Sequence, residues 1–317
     1  MRALVYGGGA VGLGLASCLL KSEVQVDIIA RKGTILSLRE HGLKRNGIFG
    51  QFNAKPEMFG CFLSVDEIHE RIYDYVLVCT KSFDSPAAAK DLHEHRSIFA
   101  DETKIVLFQN GWGNAEAFLT YFAQSVIYNA RVITGFQRHK PDEVTITVHA
   151  DAIHIGSLFG GDLSAVEELS AAINDGDIPC LTVSDIGKDI WAKMLYNCAL
   201  NPLGAILDVP YGALAEQEST RSIMNAITEE VFEVMIKAGY QTHWQSAKDF
   251  LEVFYSRLVP DTAGHKSSTL QDIAAKKPTE IDALNGAVIK LADEFSVAVP
   301  YNKVVYYIVK FIEARGG

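Results

Sequence analysis

Three polar residues, Lys193, Asn197 and Asn201, recur at four-residue intervals within an otherwise apolar segment. On a helix they span a sector about 80° wide, which they share with Ile186 and Ile190. A buried ammonium and two buried carboxamides need polar partners. The alignment therefore favours a polar cavity for a polar ligand, where a lysine can stabilise negative charge and donate a proton. The alternative interpretation is a lysine extending to solvent beside two capping asparagines.

A glycine-rich turn near the start of the chain indicates a second binding site. Its six residues match the pattern G-x-G-x-x-G: Gly7, Gly8, Gly9, Ala10, Val11 and Gly12. An apolar strand over 3–6 precedes the turn, a helix over 13–21 continues it, and a second strand covers 24–30. In this context the turn and the helix N-terminus bind the pyrophosphate of a dinucleotide. A turn without a ligand is the alternative.

The end of the second strand predicts which dinucleotide is bound. An acidic residue there accepts hydrogen bonds from the ribose of NAD, whereas a basic residue accommodates the 2′-phosphate of NADP. Asp27 lies about 20 residues past Gly7, but Ile28 and Ile29 follow it, so it lies within the strand. The tip of the strand is Arg31-Lys32. We therefore predict NADP(H).

Two further strands end in polar residues. The apolar run over 75–80 leads into Lys81, and a strand over 104–108 leads into Gln109-Asn110-Gly111. Ligands bind at the carboxyl ends of parallel strands, so Lys81 and Asn110 are predicted to contact cofactor or substrate. The alternatives are a loop lysine and a turn asparagine.

The remaining patterns predict the domain organisation. Alternating strands cover 126–156 around a polar connection at 137–143, and a helix over 163–174 and a strand over 180–183 follow. The fold class is therefore α/β, with a Rossmann-type dinucleotide-binding domain over 1–184 and an all-helical substrate and catalytic domain over 185–317. Helical periodicity covers six segments of the second domain: 185–207, 220–238, 246–258, 268–275, 278–295 and 301–314.

Two of these helices begin with polar residues of interest. Ser268 opens a capping-box pattern, so it could simply cap its helix. Glu280 lies in the first turn after Pro278, where a carboxylate could serve only as a partner of the helix dipole.

Composition limits the class of protein. The chain has 317 residues, 48% of them hydrophobic, and a net charge of −10, which is typical of a globular two-domain protein and argues against nucleic acid or anionic membrane as a partner. The five cysteines are scattered and HExxH is absent, so we predict no metal and a reducing, cytoplasmic location. Neither a signal peptide nor a membrane span is predicted. The expected state is a monomer or a homodimer.

Together these motifs make the chain resemble the ketopantoate reductase (2-dehydropantoate 2-reductase) family nearly from end to end. The specific motifs are Trp191-x-Lys193-x-x-x-Asn197-x-x-x-Asn201-Pro202, Ser267-Ser268-x-Leu-Gln-Asp and Pro278-Thr-Glu280-Ile-Asp282. The resemblance implies NADPH-dependent reduction of 2-dehydropantoate, a small 2-oxo acid, in pantothenate and coenzyme A biosynthesis.

The resemblance also implies a role for each site residue. Lys193 resembles the general acid, and Glu280 resembles the catalytic glutamate beside the nicotinamide ribose. Asn110 resembles the asparagine that contacts both cofactor and substrate. The substrate contacts are Asn197, Asn201 and Ser268, and the cofactor contacts are the glycine turn, Arg31 and Lys81.

One residue departs from the family pattern. Tyr211 stands where the family has an asparagine that contacts substrate. A phenol is bulkier and lacks the donor and acceptor pair of an amide. A reductase of another 2-oxo acid is therefore one alternative, and a non-catalytic NADP(H) sensor is another.

Overall fold

The computed structural model describes residues 1–69 and 71–316. The chain divides into two compact units: Met1–Gln109 with Asn114–Ile186, and Asn110–Gly113 with Gly187–Gly317. The predicted boundary after residue 184 made no allowance for the segment Asn110–Gly113, which belongs to the second unit. The assignment of cofactor binding to one part and substrate binding to the other stays a prediction.

The first unit is an α/β unit. Its strands are β1 (Arg2–Tyr6), β2 (Gln25–Ile29), β3 (Leu43–Gly47), β4 (Phe52–Ala54), β5 (Phe59–Phe62), β6 (Tyr73–Val78), β7 (Phe99–Leu107), β8 (Ile127–Arg131), β9 (Thr134–Lys140), β10 (Glu143–His149), β11 (Ile153–Gly156) and β12 (Cys180–Thr182). Its helices are α1 (Ala10–Lys21), α2 (Lys32–His41), α3 (Ser85–Glu94), α4 (Asn114–Leu119) and α5 (Ser164–Asp175).

Eight strands form the main sheet, in the order β12-β11-β8-β7-β6-β1-β2-β5. All neighbours run parallel except β8 and β11. Strand β1 lies between β2 and β6, so the direction of winding reverses there, and ligands of such sheets bind beyond the carboxyl ends of these strands. A second sheet, β4-β3-β10-β9, packs against α1. The predicted Rossmann-type fold is confirmed.

The apolar strand sequences form parallel strands because both faces of the main sheet are covered. Val5 and Leu77 pack into the core that contains α1 and α5, whereas Leu4, Val76 and Val78 pack into the core that contains α3 and α4. Successive residues point to opposite faces of a strand, so a strand buried on both faces has a continuous apolar sequence.

The second unit is helical, as predicted. Its helices are α6 (Ile186–Leu207), α7 (Tyr211–Glu216), α8 (Glu218–Lys237), α9 (Ala247–Val253), α10 (Val259–Asp261), α11 (Ser268–Ala274), α12 (Asn285–Glu294) and α13 (Pro300–Gly316). Helix α6 continues through Pro202, which has no amide hydrogen for the carbonyl of Cys198. The side-chain nitrogen of Asn285 donates to that carbonyl at 3.1 Å, so the oxygen is not left unpaired.

The predicted helix over 278–295 was wrong at its start, because α12 begins at Asn285. The residues before it form an irregular segment with a 3₁₀ turn over Ile281–Ala283. The amide of Thr279 donates to Glu313 at 2.7 Å, and the Thr279 hydroxyl accepts from the amide of Ile281 at 3.2 Å. These bonds hold the segment outside the helix, although a proline followed by carboxylates is a good helix start.

The polar connection predicted at 137–143 was also wrong. Strand β9 extends to Lys140 and β10 begins at Glu143, so the strands are joined by a two-residue turn. Pairing with β10 overrides the polar character of these residues, and Arg138 lies opposite Val144.

Candidate functional site

The glycine turn is tightly packed at two of its three pattern positions. Gly7 has φ +117°, and a Cβ on it would lie 2.8 Å from backbone atoms of Cys79 and Thr80. A Cβ on Gly12 would lie 2.0 Å from the carbonyl oxygen of Gly7. The packing of β1, α1 and the segment after β6 therefore requires glycine at both positions.

Gly9 differs, because the protein itself leaves room for a side chain there. A Cβ on Gly9 would meet a single neighbouring atom, the carbonyl oxygen of Cys79 at 4.0 Å. Gly9 is the N-cap of α1, no side chain caps this helix, and its first turn holds no acidic residue. Helix α1 thus begins at a glycine with open space beside it, and its N-terminal turn fits a pyrophosphate.

This difference predicts the effect of Gly9→Ala. The melting temperature is expected to stay within about 2 °C, because the methyl group meets open space and the φ of −79° suits alanine. Affinity for a nicotinamide dinucleotide, measured with NADPH and with NADH, is expected to fall about tenfold or more, because the methyl group would occupy the approach to the pyrophosphate. Thermal melting and fluorescence titration measure the two effects. Gly12→Ala serves as the contrast, since it should destabilise the fold. Unchanged NADPH affinity in Gly9→Ala would contradict pyrophosphate binding at this turn.

Asp27 is not available to a ribose. Its side chain is buried within β2 and accepts hydrogen bonds from Arg71 and from the hydroxyl of Tyr73, the latter at 2.7 Å. Arg31 is exposed beyond the strand end, as the N-cap residue of α2. Of these two residues, only Arg31 is exposed at this strand end, and the choice of NADP(H) over NAD(H) stays a prediction.

Lys81 lies beyond the carboxyl end of β6, which neighbours β1 in the sheet. It is half-buried and begins a short 3₁₀ turn. The side-chain nitrogen of Gln109 donates to the carbonyl of Lys81 at 3.2 Å and to the hydroxyl of Ser85 at 2.9 Å. These bonds connect the ends of β6 and β7.

Three of the predicted residues meet in the second unit, although they come from distant parts of the sequence. The ammonium of Lys193 donates to Oδ1 of Asn110 at 2.5 Å. The Nδ2 of Asn110 donates to Oε2 of Glu280 at 3.2 Å. Glu280 is buried, whereas Lys193 and Asn110 are half-buried. The amide therefore connects a cation to an anion, and these two bonds determine which way the amide points.

The backbone around Asn110 explains why it reaches Glu280. Gly111 has φ +88°, and a Cβ on it would lie 2.4 Å from the carbonyl oxygen of Ala283. The next amide, that of Trp112, donates to the same oxygen at 2.8 Å. Glycine at 111 thus allows the segment Asn110–Gly113 to lie against the residues that follow Glu280.

An aromatic cluster supports the same region. The ring of Trp112 lies 5.0 Å from that of Trp191 and 4.6 Å from that of Tyr240, measured between centroids. Trp191 is fully buried and precedes Lys193 by two residues on α6. Packing of large rings restricts the backbone on both sides of the Lys193–Asn110 bond. These three aromatic residues are far apart in the sequence, so no local pattern predicted that they would form a cluster.

The other predicted residues of α6 lie inside the unit. Asn197 and Asn201 are 8% and 3% exposed. Within the described residues the side chain of Asn197 makes no hydrogen bond, whereas Oδ1 of Asn201 accepts from the hydroxyl of Tyr211 at 2.5 Å. A buried amide without a protein partner needs another one, which fits a polar ligand.

The capping role considered for Ser268 was wrong. The N-cap of α11 is Ser267, whose hydroxyl accepts from the amide of Leu270 and donates to the carbonyl of Asn201, both at 3.1 Å. The side chain of Ser268 is half-buried, and it makes no hydrogen bond to the residues that the structure describes. Its hydroxyl is thus available to a ligand.

Tyr211 is part of the same region. It is 3% exposed, and its amide donates to the carbonyl of His265 at 3.1 Å. Burial raises the pKa of its phenol well above the ordinary value, so the hydroxyl stays protonated and donates to Asn201. This bond orients the Asn201 amide, and sequence reasoning alone did not predict it.

Two other features are absent from residues 1–69 and 71–316. No group of three or more His, Cys, Asp or Glu side chains there could hold a metal ion. None of the helices within 1–69 and 71–316 combines the length and apolar character needed to cross a membrane.

The first unit has the topology of a dinucleotide-binding Rossmann fold, and the helical unit that follows contains a cluster of lysine, asparagine and glutamate. The family model "Ketopantoate reductase PanE/ApbA" matches residues 3–160, and "Ketopantoate reductase PanE/ApbA C terminal" matches residues 185–313. The chain belongs to the ketopantoate reductase family. The predicted family is thus confirmed.

Individual relatives agree with this assignment. The 2-dehydropantoate 2-reductase of Aquifex aeolicus (strain VF5) is 33% identical over 316 residues, which cover 99% of this chain and 97% of the relative. The solved structure of 2-dehydropantoate 2-reductase from Geobacter metallireducens GS-15 is 25% identical, with a TM-score of 0.87 and coverage of 98% and 99%. The ternary structure of D-mandelate dehydrogenase with NADH and anilino(oxo)acetate has a TM-score of 0.88 at 22% identity, with coverage of 100% and 99%, and shares the fold.

Proposed function

We propose that this chain catalyses the NADPH-dependent reduction of 2-dehydropantoate to pantoate, a step of pantothenate and coenzyme A biosynthesis. The observation that carries the proposal is the Lys193–Asn110–Glu280 chain of hydrogen bonds in a member of the ketopantoate reductase family. The proposal is also supported by the 33% sequence identity between this chain and the 2-dehydropantoate 2-reductase of Aquifex aeolicus.

NADP(H) fits the residues of this chain. The open backbone at Gly9, before the uncapped N-terminus of α1, would hold the pyrophosphate, and the exposed Arg31 would hold the 2′-phosphate. Lys81, Asn110 and Glu280 would contact the remainder of the cofactor. When bound, the reduced nicotinamide supplies a hydride to the C2 ketone of the substrate.

Lys193 would act as the general acid. Its ammonium has three hydrogens and donates one of them to Asn110, and in the complex with substrate it would donate a hydrogen bond to the ketone oxygen as well. As negative charge develops on that oxygen, the ammonium stabilises it and then transfers a proton to give the hydroxyl product. Because Lys193 is half-buried, solvent can return the proton afterwards.

Asn197, Asn201 and Ser268 would orient the substrate. The amide of Asn197 and the hydroxyl of Ser268 make no hydrogen bond to other described side chains or backbone, and Asn201 retains its amide hydrogens. These groups can bind the carboxylate and the C4 hydroxyl of 2-dehydropantoate. Fixed orientation of a ketone next to a hydride donor raises the rate, because most of the loss of entropy needed to reach the transition state has already occurred on binding.

A specific observation favours a second candidate, the reduction of another 2-oxo acid. The buried hydroxyl of Tyr211 already occupies one hydrogen-bonding position of Asn201, and its ring fills space that a smaller residue would leave open. A substrate without a C4 hydroxyl would need fewer polar contacts at this position.

The decisive experiment measures kcat/KM from the absorbance of NADPH with three 2-oxo acids. These are 2-dehydropantoate, 3,3-dimethyl-2-oxobutanoate, which lacks only the C4 hydroxyl, and pyruvate. We expect kcat/KM for 2-dehydropantoate to exceed the other two by about 10²-fold, because a site that binds a hydroxyl leaves polar groups unpaired when the hydroxyl is missing. A higher value for either competitor favours the second candidate, and the absence of NADPH oxidation with all three rejects both. Parallel assays with NADH test the choice of cofactor.

A further inference from the structure

Besides Arg31, a second arginine lies beside the glycine turn, and it belongs to the small sheet. Arg138 is on β9, and its Nη1 donates to the carbonyl oxygen of Gly8 at 2.8 Å and to Oγ1 of Thr34 at 3.1 Å. Gly8 belongs to the glycine turn, and Thr34 lies in the first turn of α2, which begins after Arg31. One guanidinium thus connects the two segments assigned above to the pyrophosphate and the 2′-phosphate.

The position of Arg138 is determined by the packing of β9 on α1. A Cβ on Gly14 of α1 would lie 2.3 Å from the ring of Phe136, so ring and helix are in close contact. Residues two apart on a strand point to the same face. Arg138 therefore projects on the side of β9 that faces α1, toward its N-terminal turn.

Positive charge accumulates at this place without compensation. Partial burial lowers the pKa of Arg138 below its ordinary value, and repulsion from the nearby Arg31 lowers it further. Lys32 follows Arg31, and the first turn of α2 contains no acidic residue. Within 1–69 and 71–316, none of these three cations has a carboxylate partner.

Three other arginines of the first unit, in contrast, form ion pairs with carboxylates. Arg45 pairs with Asp177, Arg71 with Asp27, and Arg131 with Asp151. Guanidinium groups that repel one another and have no protein anion nearby are suited to bind an anionic ligand, and a phosphate accepts several charge-assisted hydrogen bonds from arginines.

We propose that Arg138 is a specificity-determining residue that binds the 2′-phosphate of NADP(H) together with Arg31. This inference rests on the proposed function for the presence of the cofactor, and it adds a residue from a different part of the chain. Nη1 of Arg138 holds the glycine turn and α2, while Nε and Nη2 remain to donate to the phosphate. NADH has no such phosphate, so it gains nothing from these donors.

The test compares two pairs of ligands that differ by the 2′-phosphate: NADPH with NADH, and adenosine 2′,5′-bisphosphate with 5′-AMP. Dissociation constants are measured by titration for the wild type, Arg138→Gln, Arg138→Lys and Lys140→Gln. In Arg138→Gln we expect the dissociation constant of the ligand with a 2′-phosphate to rise about tenfold or more in each pair. The dissociation constant of the ligand without it should rise less than about threefold. Arg138→Lys should recover part of the loss. Lys140→Gln is the matched control, because it removes one exposed positive charge from the same strand.

Two results would overturn the inference. If Arg138→Gln weakened the binding of both ligands of a pair equally, Arg138 would only support the structure of the glycine turn. If Lys140→Gln lost as much affinity for the ligands with a 2′-phosphate as Arg138→Gln, the net positive charge of this surface would be responsible, and not a specific contact of Arg138. Because titration requires no turnover, failure to reduce any 2-oxo acid would count against the proposed reaction alone. A wild type that does not prefer NADPH over NADH would overturn this inference while leaving an NADH-dependent reductase intact.

Discussion

Replacing Lys193 with alanine is expected to lower kcat for 2-oxo acid reduction by about 10³-fold or more. The variant loses both the charge that stabilises the developing oxyanion and the proton that completes the reaction. Binding of NADPH should change less than about threefold, because the phosphates are assigned to other residues. Steady-state kinetics and fluorescence titration measure these two quantities, and loss of kcat without loss of cofactor binding is the expected combination.

Two further variants make this prediction specific. Lys290→Ala removes an exposed lysine of α12 and should retain wild-type kcat. Lys193→Arg keeps the positive charge but has no proton that it can release near neutral pH, so its kcat should stay close to that of Lys193→Ala. Wild-type turnover in Lys193→Arg would show that charge suffices, and wild-type turnover in Lys193→Ala would remove the residue from the reaction altogether.

Asn110→Asp is expected to have the second largest effect, a fall in kcat of about 10²-fold near neutral pH. The change keeps the size of the side chain but removes the Nδ2 donor that contacts Glu280 at 3.2 Å. It also places two carboxylates side by side and draws the ammonium of Lys193 into an ion pair. Like charges at this distance repel, and a more strongly bound ammonium is a poorer proton donor.

The pH dependence of this variant gives a second readout. As pH falls, the carboxyl pair takes up one proton, which removes a negative charge and restores a donor between positions 110 and 280. The ratio of variant to wild-type kcat should therefore rise with decreasing pH. Asn174→Asp, the same replacement at an exposed position of α5, is the control and should show a constant ratio. A pH-independent ratio in Asn110→Asp would contradict the bridging role of Asn110.

Much of the fold was predictable because its signals are local. The strand, turn and helix that surround Gly7, and the continuous apolar sequence of β6, reflect backbone and burial requirements that act over a few neighbouring residues. The small sheet was only partly recognised, because β3 and β4 are short and Arg138 looks like a loop residue until β9 pairs with β10. Long-range pairing of this kind leaves a weak trace in local sequence.

The segment before α12 shows how tertiary contacts override local preference. Proline at 278 followed by carboxylates is a favourable helix start, yet Glu280 points to Asn110 and Thr279 bonds with Glu313. The free energy of these contacts exceeds the modest propensity for about two further helical turns. The capping role considered for Ser268 failed by one residue, because Ser267 has the better geometry for bonding the amide of Leu270.

The sequence by itself determined the family, the glycine turn and the helical phase that aligns Lys193, Asn197 and Asn201, because each depends on residue type and short spacing. Only the tertiary structure decided that Asn110 bridges Lys193 and Glu280. It also decided that the hydroxyl of Tyr211 donates to Asn201 and that Arg138 donates to the glycine turn. These hydrogen bonds join groups that belong to different helices, strands and loops. Their geometry depends on how whole helices and strands pack, which no local pattern specifies.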